Sequence, residues 1–417
     1  MAKKSVADIN VAGKTVLMRV DFNVPIKDGK VSNDRRIVQA LPSIKHVLAQ
    51  GAKLVLMSHT GRPEGTGFEA EFSAKPAADR LADLLGKPVT MGPQSVVGPE
   101  LDVAVKAMKA GDVLMMENVR FIDGETVPDK AKKNPDKNLT PEQQKQHDDF
   151  VAAIAKLGDA YVNDAFGTCH RKHASMYGVA KAIQAKGGPA VAGFLVEKEI
   201  RYLHEAVSEP KRPFVAILGG AKVSDKIKLI STLLTKVDKI LIGGAMAYTL
   251  LKAKGVNVGK SRVEADQVEE MKSLLAKAGD KIVLPVDHVA SDDFENGKPM
   301  PVETVAIPEN LMGLDIGPKT IKLFSDEIAK AKTVVWNGPM GVFEKPQYAT
   351  GTRSVAQAVA DATAKGAVSV IGGGDSAAAV EEMGLDEKMT HISTGGGASL
   401  EYLEGKTMPP IETLDEK

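Results

Sequence analysis

Nine short runs of β-branched residues, leucine and methionine, at 16–20, 54–57, 113–116, 161–162, 214–218, 239–242, 282–284, 333–336 and 368–371, constrain this chain more than any other feature. Each leads within a few residues to glycine, asparagine, aspartate or histidine, and then to a helix-like stretch. The runs are predominantly apolar instead of alternating, which is the pattern of strands covered on both faces. Such strands belong to parallel sheets built from βα units, so the expected fold class is α/β. Ligands of these sheets bind beyond the carboxyl ends of the strands, and function is therefore sought in the residues just after each run.

A chain of 417 residues is too long for one ordinary core, and two domains are expected. Lys and Arg number 54 against 54 Asp and Glu. That balance argues against nucleic acid or an anionic membrane as partner, and any cationic site must be local. Cys169 stands alone and cannot form an internal disulfide, and the start MAKKSVADIN has no apolar signal-peptide core. No apolar run approaches the roughly 18 residues of a membrane span. A reducing, cytoplasmic setting is expected.

The strand ends divide by chemistry. Arg19, Arg36, Arg62, Arg120 and Arg171 all precede residue 172, whereas glycine-rich turns crowd the chain from Gly219 onward. Asp21 and Asn23 alternate with Phe22 after the first run, which puts both on one side; a turn cap would explain them equally well. After the second run, Gly61 permits an unusual backbone angle and Pro63 stiffens the exit, aiming His59 and Arg62 into one space. Arg120 and the pair His170-Arg171 repeat the arrangement. A single such arginine is ordinarily a surface ion pair, but their joint placement at successive strand ends points to a multiply negative small molecule held through paired guanidinium hydrogen bonds.

In the second half, Gly219-Gly220-Ala221-Lys222 and the following Val223-Ser224-Asp225-Lys226 lead into a helix. Glycines admit phosphate oxygens to backbone amides, and Lys222 and Lys226, four apart, can share a helical face. Gly372-Gly373-Gly374-Asp375-Ser376 repeats this, with the Ser376 hydroxyl as a further donor and the Asp375 carboxylate for magnesium. The segment Trp336-Asn337-Gly338-Pro339-Met340-Gly341-Val342-Phe343-Glu344 offers apolar surface for a base and a carboxylate for ribose hydroxyls. Three features are set aside. Residues 255–261 mimic a Walker loop with one residue too few between the glycines, the Asp287-His288 pair reads as structural, and Cys169 lacks a resolving cysteine. Residues 123–147 read as a solvated surface insertion without chemistry. Residues 191–207 carry apolar positions at helical spacing, as either an interdomain helix or an ordinary crossover.

RVDFNVP, SHTGRP, NVRF, NDAFGTCHR, ILGGAKVSDK, LPVD, GLDIGP, WNGPMGVFE, GGGDS and STGGGASLE, in this order over nearly the whole chain, closely resemble the phosphoglycerate kinase family. The resemblance implies two doubly wound, Rossmann-like domains: 1–190 for phosphoglycerate, a connecting helix 191–207, and 208–398 for nucleotide, with the tail 399–417 returning to the first. It implies reversible phosphoryl transfer from 1,3-bisphosphoglycerate to ADP, giving 3-phosphoglycerate and ATP, by a monomer that closes about a hinge. Asp21, Asn23, Arg36, His59, Arg62, Arg120 and Arg171 would hold phosphoglycerate, supported by His170. Lys222 and Lys226 would contact nucleotide and transferring phosphates, with Arg36 and Lys222 catalytic. Gly313 and Leu314 would bound the adenine, Asn337 would lie beside the nucleotide and Glu344 would meet the ribose. Gly373, Gly374, Asp375 and Ser376 would hold the phosphates and Mg2+, with Asp375 the metal ligand. Cys169 departs from the family, where alanine is common. A dinucleotide-dependent dehydrogenase lacks its G-x-G-x-x-G signature here, and a catalytically silent nucleotide binder of the same fold is the remaining alternative.

Overall fold

A computed structural model describes residues 2–131 and 138–417. The chain divides into two compact units, Met1–Ile200 with Thr407–Lys417, and Arg201–Lys406. The division falls inside the helix Phe194–Ser208.

Each unit is built on a six-stranded parallel sheet. In the first the strand order is Thr90–Met91, Val113–Met115, Lys53–Met57, Thr15–Val20, Ala160–Asp164, Ala190–Ala192. In the second it is Ile282–Val283, Lys239–Ile242, Phe214–Leu218, Thr333–Asn337, Val368–Gly372, His391–Ile392. Chain order departs in both directions from the first strand of each sheet, so Thr15–Val20 and Phe214–Leu218 flank the switch points where a doubly wound sheet opens a crevice. The central strands are buried along almost their whole length, as their unbroken apolar runs require. Helices cover both faces. Met18, Ile37, Ile44 and Leu54 are fully buried in the first core, as are Ile217, Phe324, Trp336 and Val355 in the second. Each such side chain contributes about 1.5–3 kcal/mol through burial.

Several boundaries differ from the sequence reading. Residues 190–192 form the edge strand Ala190–Ala192, paired in parallel with Tyr161–Asn163, so the helix expected from 191 starts at Phe194. The cause is local: Asp164 Oδ1 accepts from the Leu195 and Val196 amides at 2.9 and 3.3 Å and caps the first turn. A Cβ on Gly193 would lie 2.1 Å from that same oxygen. The tail that belongs to the first unit begins at Thr407, not near Ser399. It is tied there by Lys4 N to Asp415 O and Asp415 N to Ala190 O, both 2.8 Å.

The expectation of an insertion without chemistry at 123–147 is corrected. Asp123–Ala131 is a helix in which Glu125 and Val127 are completely buried, and Pro141–Ala155 is a second, started by a Thr140–Gln143 capping box. The part of that expectation falling on 132–137 lies outside the described residues. A small antiparallel sheet, Met300–Val302, His288–Ser291, Met312–Ile316, adds a satellite core around Tyr248, Leu251 and Ile307.

Candidate functional site

In the first unit, the loop ends around Thr15–Val20 assemble a cationic cluster from distant parts of the chain. Arg36 NH1 lies 3.1 Å from Asp21 Oδ2 and donates to Asn23 O at 3.2 Å. Asn23 Oδ1 accepts from Gly61 N at 2.9 Å, and Gly61 O accepts from Arg120 NH1 at 2.8 Å. Gly61 is irreplaceable here, with φ +61° and an imagined Cβ only 2.4 Å from the Phe72 ring. Arg19, wholly buried, donates from NH2 to His59 Nδ1 at 3.1 Å and from Nε to Ser175 Oγ at 2.9 Å. Arg171 pairs with Asp129 through NH1 and donates from Nε to His170 Nε2 at 3.1 Å. Asp129 also meets His173 Nε2 at 2.9 Å. Arg62 is exposed and makes no hydrogen bond or ion pair among the described residues.

The charge density shows in the protonation of this cluster. Burial, then Arg19, Arg120, His173 and Arg36, hold His59 well below the usual histidine range, so its imidazole is neutral. Burial and Arg19 push Arg120 down to about 10. All the proposed anion-binding residues of this half therefore surround one sheet end, with Arg62 at its exposed rim. Sequence reasoning missed Glu125, Asp129, His173 and Ser175. Only His173, three residues beyond His170, had a visible signal.

In the second unit, Lys226 Nζ donates to Asn337 O at 2.9 Å and to Asn337 Oδ1. Burial pushes this lysine down to about 8, against the opposing pull of Asp375 and Asp225. The turn before it is braced by Glu264, whose carboxylate accepts from Val223 N at 2.6 Å and Ser224 N at 3.1 Å. Lys222 is exposed on that turn. The helix begins only at Ile227, so Lys222 and Lys226 do not share a helical face as their spacing suggests.

Gly373, at φ +91°, is the N-cap of the helix Gly374–Glu382, and Gly395 caps Gly396–Leu403. The two helix starts are adjacent: a Cβ on Gly396 would lie 3.5 Å from Gly374 N. Beside them the Asn337 side-chain nitrogen is buried without a partner, 3.0 Å from where a Cβ of Gly373 would sit. Free amides, two helix dipoles and an unused donor together suit an anion. Ser376, however, is fully buried and its hydroxyl accepts from Gly338 N at 2.6 Å, so it braces the neighbouring turn.

Asp375 is exposed in the first turn of its helix, and among the described residues no group of three or more His, Cys, Asp or Glu is placed to hold a metal. One carboxylate fits Mg2+ that arrives with the phosphates of a nucleotide, since magnesium keeps waters and takes few protein ligands.

Leu314 O accepts from Val342 N at 2.9 Å, which joins the segment carrying Gly313 and Leu314 to the loop carrying Glu344. Glu344 is exposed. Trp336 is fully buried in the core, which removes it from the apolar surface expected for a base. An aromatic that the sequence reading passed over lies nearby: Phe294 is 42% exposed, with Lys345 Nζ 4.3 Å from its ring centroid.

The family model described as phosphoglycerate kinase matches residues 6–406. A phosphoglycerate kinase of Lactobacillus gasseri is 53% identical over 417 residues, covering 100% of both chains. The structure of phosphoglycerate kinase from Coxiella burnetii superposes with a TM-score of 0.83 at 39% identity, covering 99% of this chain and 98% of that one. The phosphoglycerate kinase of Pyrococcus horikoshii OT3 gives 0.82 at 33%, covering 98% of each.

Proposed function

The chain belongs to the phosphoglycerate kinase family, and on that premise we propose how its residues divide the work. It is a glycolytic phosphotransferase that moves the acyl phosphate of 1,3-bisphosphoglycerate reversibly to ADP. In our assignment the first unit holds the phosphoglycerate through Arg36, Arg62, Arg120, Arg171 and His59, with Asp21, Asn23 and His170 orienting them. The second holds the magnesium nucleotide. Gly373 and Gly374 amides, Asn337, Lys222 and Lys226 take its phosphates and Asp375 its metal, while Gly313, Leu314, Glu344 and Phe294 surround the nucleoside.

The observation that carries this reading is the contrast between the two switch points. One ends in guanidinium groups and a neutral histidine. The other ends in two adjacent helix starts with an unpartnered amide.

The chemistry asks for little else. The acceptor is a carboxylate, ionised at neutral pH, so no general base is needed. Catalysis of phosphoryl transfer is chiefly alignment and stabilisation of charge on the transferring oxygens, a task for Arg36 and Lys222. Mg2+, when bound with the nucleotide, supplies further neutralisation of phosphate charge. Reacting atoms must come within about 3–3.5 Å; with the two ligands on separate units, we infer a hinge closure that also excludes water. A monomer working in the cytoplasm is part of the same proposal.

The deciding assay is magnesium-dependent ADP formation from ATP and 3-phosphoglycerate, with the acyl phosphate removed to draw the reaction forward. Turnover should require both substrates. Arg36→Ala should lower kcat about a hundredfold or more, as for loss of one preorganised donor, with nucleotide affinity unchanged. Near-normal kcat in that variant would remove Arg36 from catalysis.

A further inference from the structure

The buried Arg19 guanidinium raises a question of charge. It makes no ion pair among the described residues; its partners are Ser175 Oγ, Val20 O and His59 Nδ1. A lone buried cation is severely penalised unless compensated. The compensating anion is one residue removed. Glu125, wholly buried in the helix Asp123–Ala131, accepts from Ser175 N and from Ser175 Oγ, both at 2.7 Å. A carboxylate accepts only, so the serine proton lies toward Glu125 and the serine lone pairs are left for Arg19 Nε. The Ser175 backbone is held as well, its amide by Glu125 and its carbonyl by Tyr161 Oη at 2.8 Å. It lies in the π-helical turn Ala174–Gly178, an irregularity often found where function fixes the backbone.

The same donor logic runs on to His59. Arginine has no acceptor, so its contact with His59 Nδ1 obliges that nitrogen to accept. The imidazole proton must then sit on Nε2, which makes neutral His59 a donor through Nε2. We propose that Glu125 is a positioning residue for phosphoglycerate: acting through Ser175 and Arg19, it fixes the His59 tautomer and so keeps an uncharged N–H donor among the arginines. This rests on the reading that the first unit's cluster holds that substrate. A neutral donor is suited to the place, because a further cation there would be opposed by the Arg19, Arg120 and Arg36 guanidinium groups.

The test combines nitrogen-15 NMR of the histidine side chains with steady-state kinetics on the full chain. In the wild type, His59 should carry its proton on Nε2; a proton on Nδ1 overturns the proposal without any variant. Glu125→Gln should give a mixture of His59 tautomers. It should raise the KM for 3-phosphoglycerate about tenfold or more, the scale of a charge-assisted hydrogen bond, while leaving the KM for ATP unchanged. Ser175→Ala, which keeps the carboxylate and removes the relay, should show the same split, and Glu125→Asp should restore part of it. Wild-type KM and tautomer in folded Glu125→Gln and Ser175→Ala would sink the idea. His59→Gln separates this from failure of the underlying reading. A raised phosphoglycerate KM there with silent Glu125 and Ser175 variants overturns the relay alone, and an unchanged KM in all three overturns both.

Discussion

Replacing Lys226 with methionine sets two measurable effects against each other. The lysine is 8% exposed, and burial pushes it from 10.5 down to about 8. That difference, at about 1.4 kcal/mol per pH unit, makes the charged form about 3 kcal/mol less favourable in the folded chain than in the unfolded one. Below pH 8 both states are protonated and the whole penalty is present. Between pH 8 and 10.5 the folded chain releases its proton while the unfolded chain keeps it, so stability rises with pH. Methionine has a similar stem and no charge, and removes the penalty at every pH. Against this, Asn337 Oδ1 loses its partner, an orphaned acceptor worth about 1–3 kcal/mol; Asn337 O keeps Gly219 N at 3.0 Å. At pH 7 the variant should therefore equal the wild type or exceed it by up to about 2 kcal/mol. By pH 9.5 the wild type should have gained about 2 kcal/mol relative to the variant. The assay is urea unfolding followed by the single tryptophan, which is buried in the strand Thr333–Asn337 next to Asn337 itself and so reports on this unit. Parallel stability profiles for the two proteins from pH 7 to 9.5 would refute the reasoning. Turnover in the variant should fall about a hundredfold or more, with the donor to the phosphates gone.

Three other perturbations are as direct. Asp375→Ala should weaken magnesium-nucleotide binding about tenfold or more in calorimetric titration, with metal-free nucleotide binding little changed; equal loss with and without magnesium would count against a metal role. Gly219→Ala places a Cβ 1.9 Å from Pro339 O and 2.8 Å from Gly338 O, backbone atoms of the adjoining turn. It should cost about 1–3 kcal/mol and abolish nucleotide binding, and wild-type affinity would show that this turn can yield. Asp164 is pushed by burial from 3.8 up to about 7, so the folded chain binds its proton more tightly than the unfolded chain and stability contributed below pH 4 is lost as pH rises through 7. Asp164→Asn should flatten that decline in unfolding measurements between pH 4 and 7.5. An unchanged slope would mean that the carboxyl ionises freely in the fold.

What could be read from sequence is what local chemistry dictates. Phe214–Leu218 is a continuous apolar run and Lys239–Ile242 one apart from its leading lysine, both closed by glycine, and their limits in the fold are those of the pattern. The edge strands Thr90–Met91 and His391–Ile392 are two residues long, too short to carry any period. The antiparallel strands Met300–Val302 and Met312–Ile316 contain Pro301 and Gly313, residues that weaken a strand signal. Lys222 and Lys226 mislead because spacing of four implies one face only inside a helix, and theirs starts one residue later. Glu125 was invisible for a deeper reason: its worth lies in a contact 50 positions away, in a segment whose composition is that of solvated surface. Trp336 shows the converse, an aromatic beside a ligand motif that serves the core.

Each unit also pairs a buried cation with an exposed one. Arg19 and Lys226 are enclosed, and each is committed to protein acceptors. Arg62 and Lys222 are exposed on nearby turns. The buried member lies in low dielectric, where its field is weakly screened, and it is already ordered. The exposed member contributes contact and must lose rotamer freedom on binding, worth about 1.5–2 kcal/mol for such a side chain. Removing the exposed cation should therefore act mostly on ligand affinity and be strongly salt-dependent. Loosening the hold on the buried Arg19, as Ser175→Ala does, should act on the shape and protonation of its neighbours and be nearly indifferent to salt. The contrast between Arg62→Ala and Ser175→Ala in phosphoglycerate KM, measured at low and high ionic strength, distinguishes the two roles: a similar salt dependence in both variants would mean that burial does not separate them.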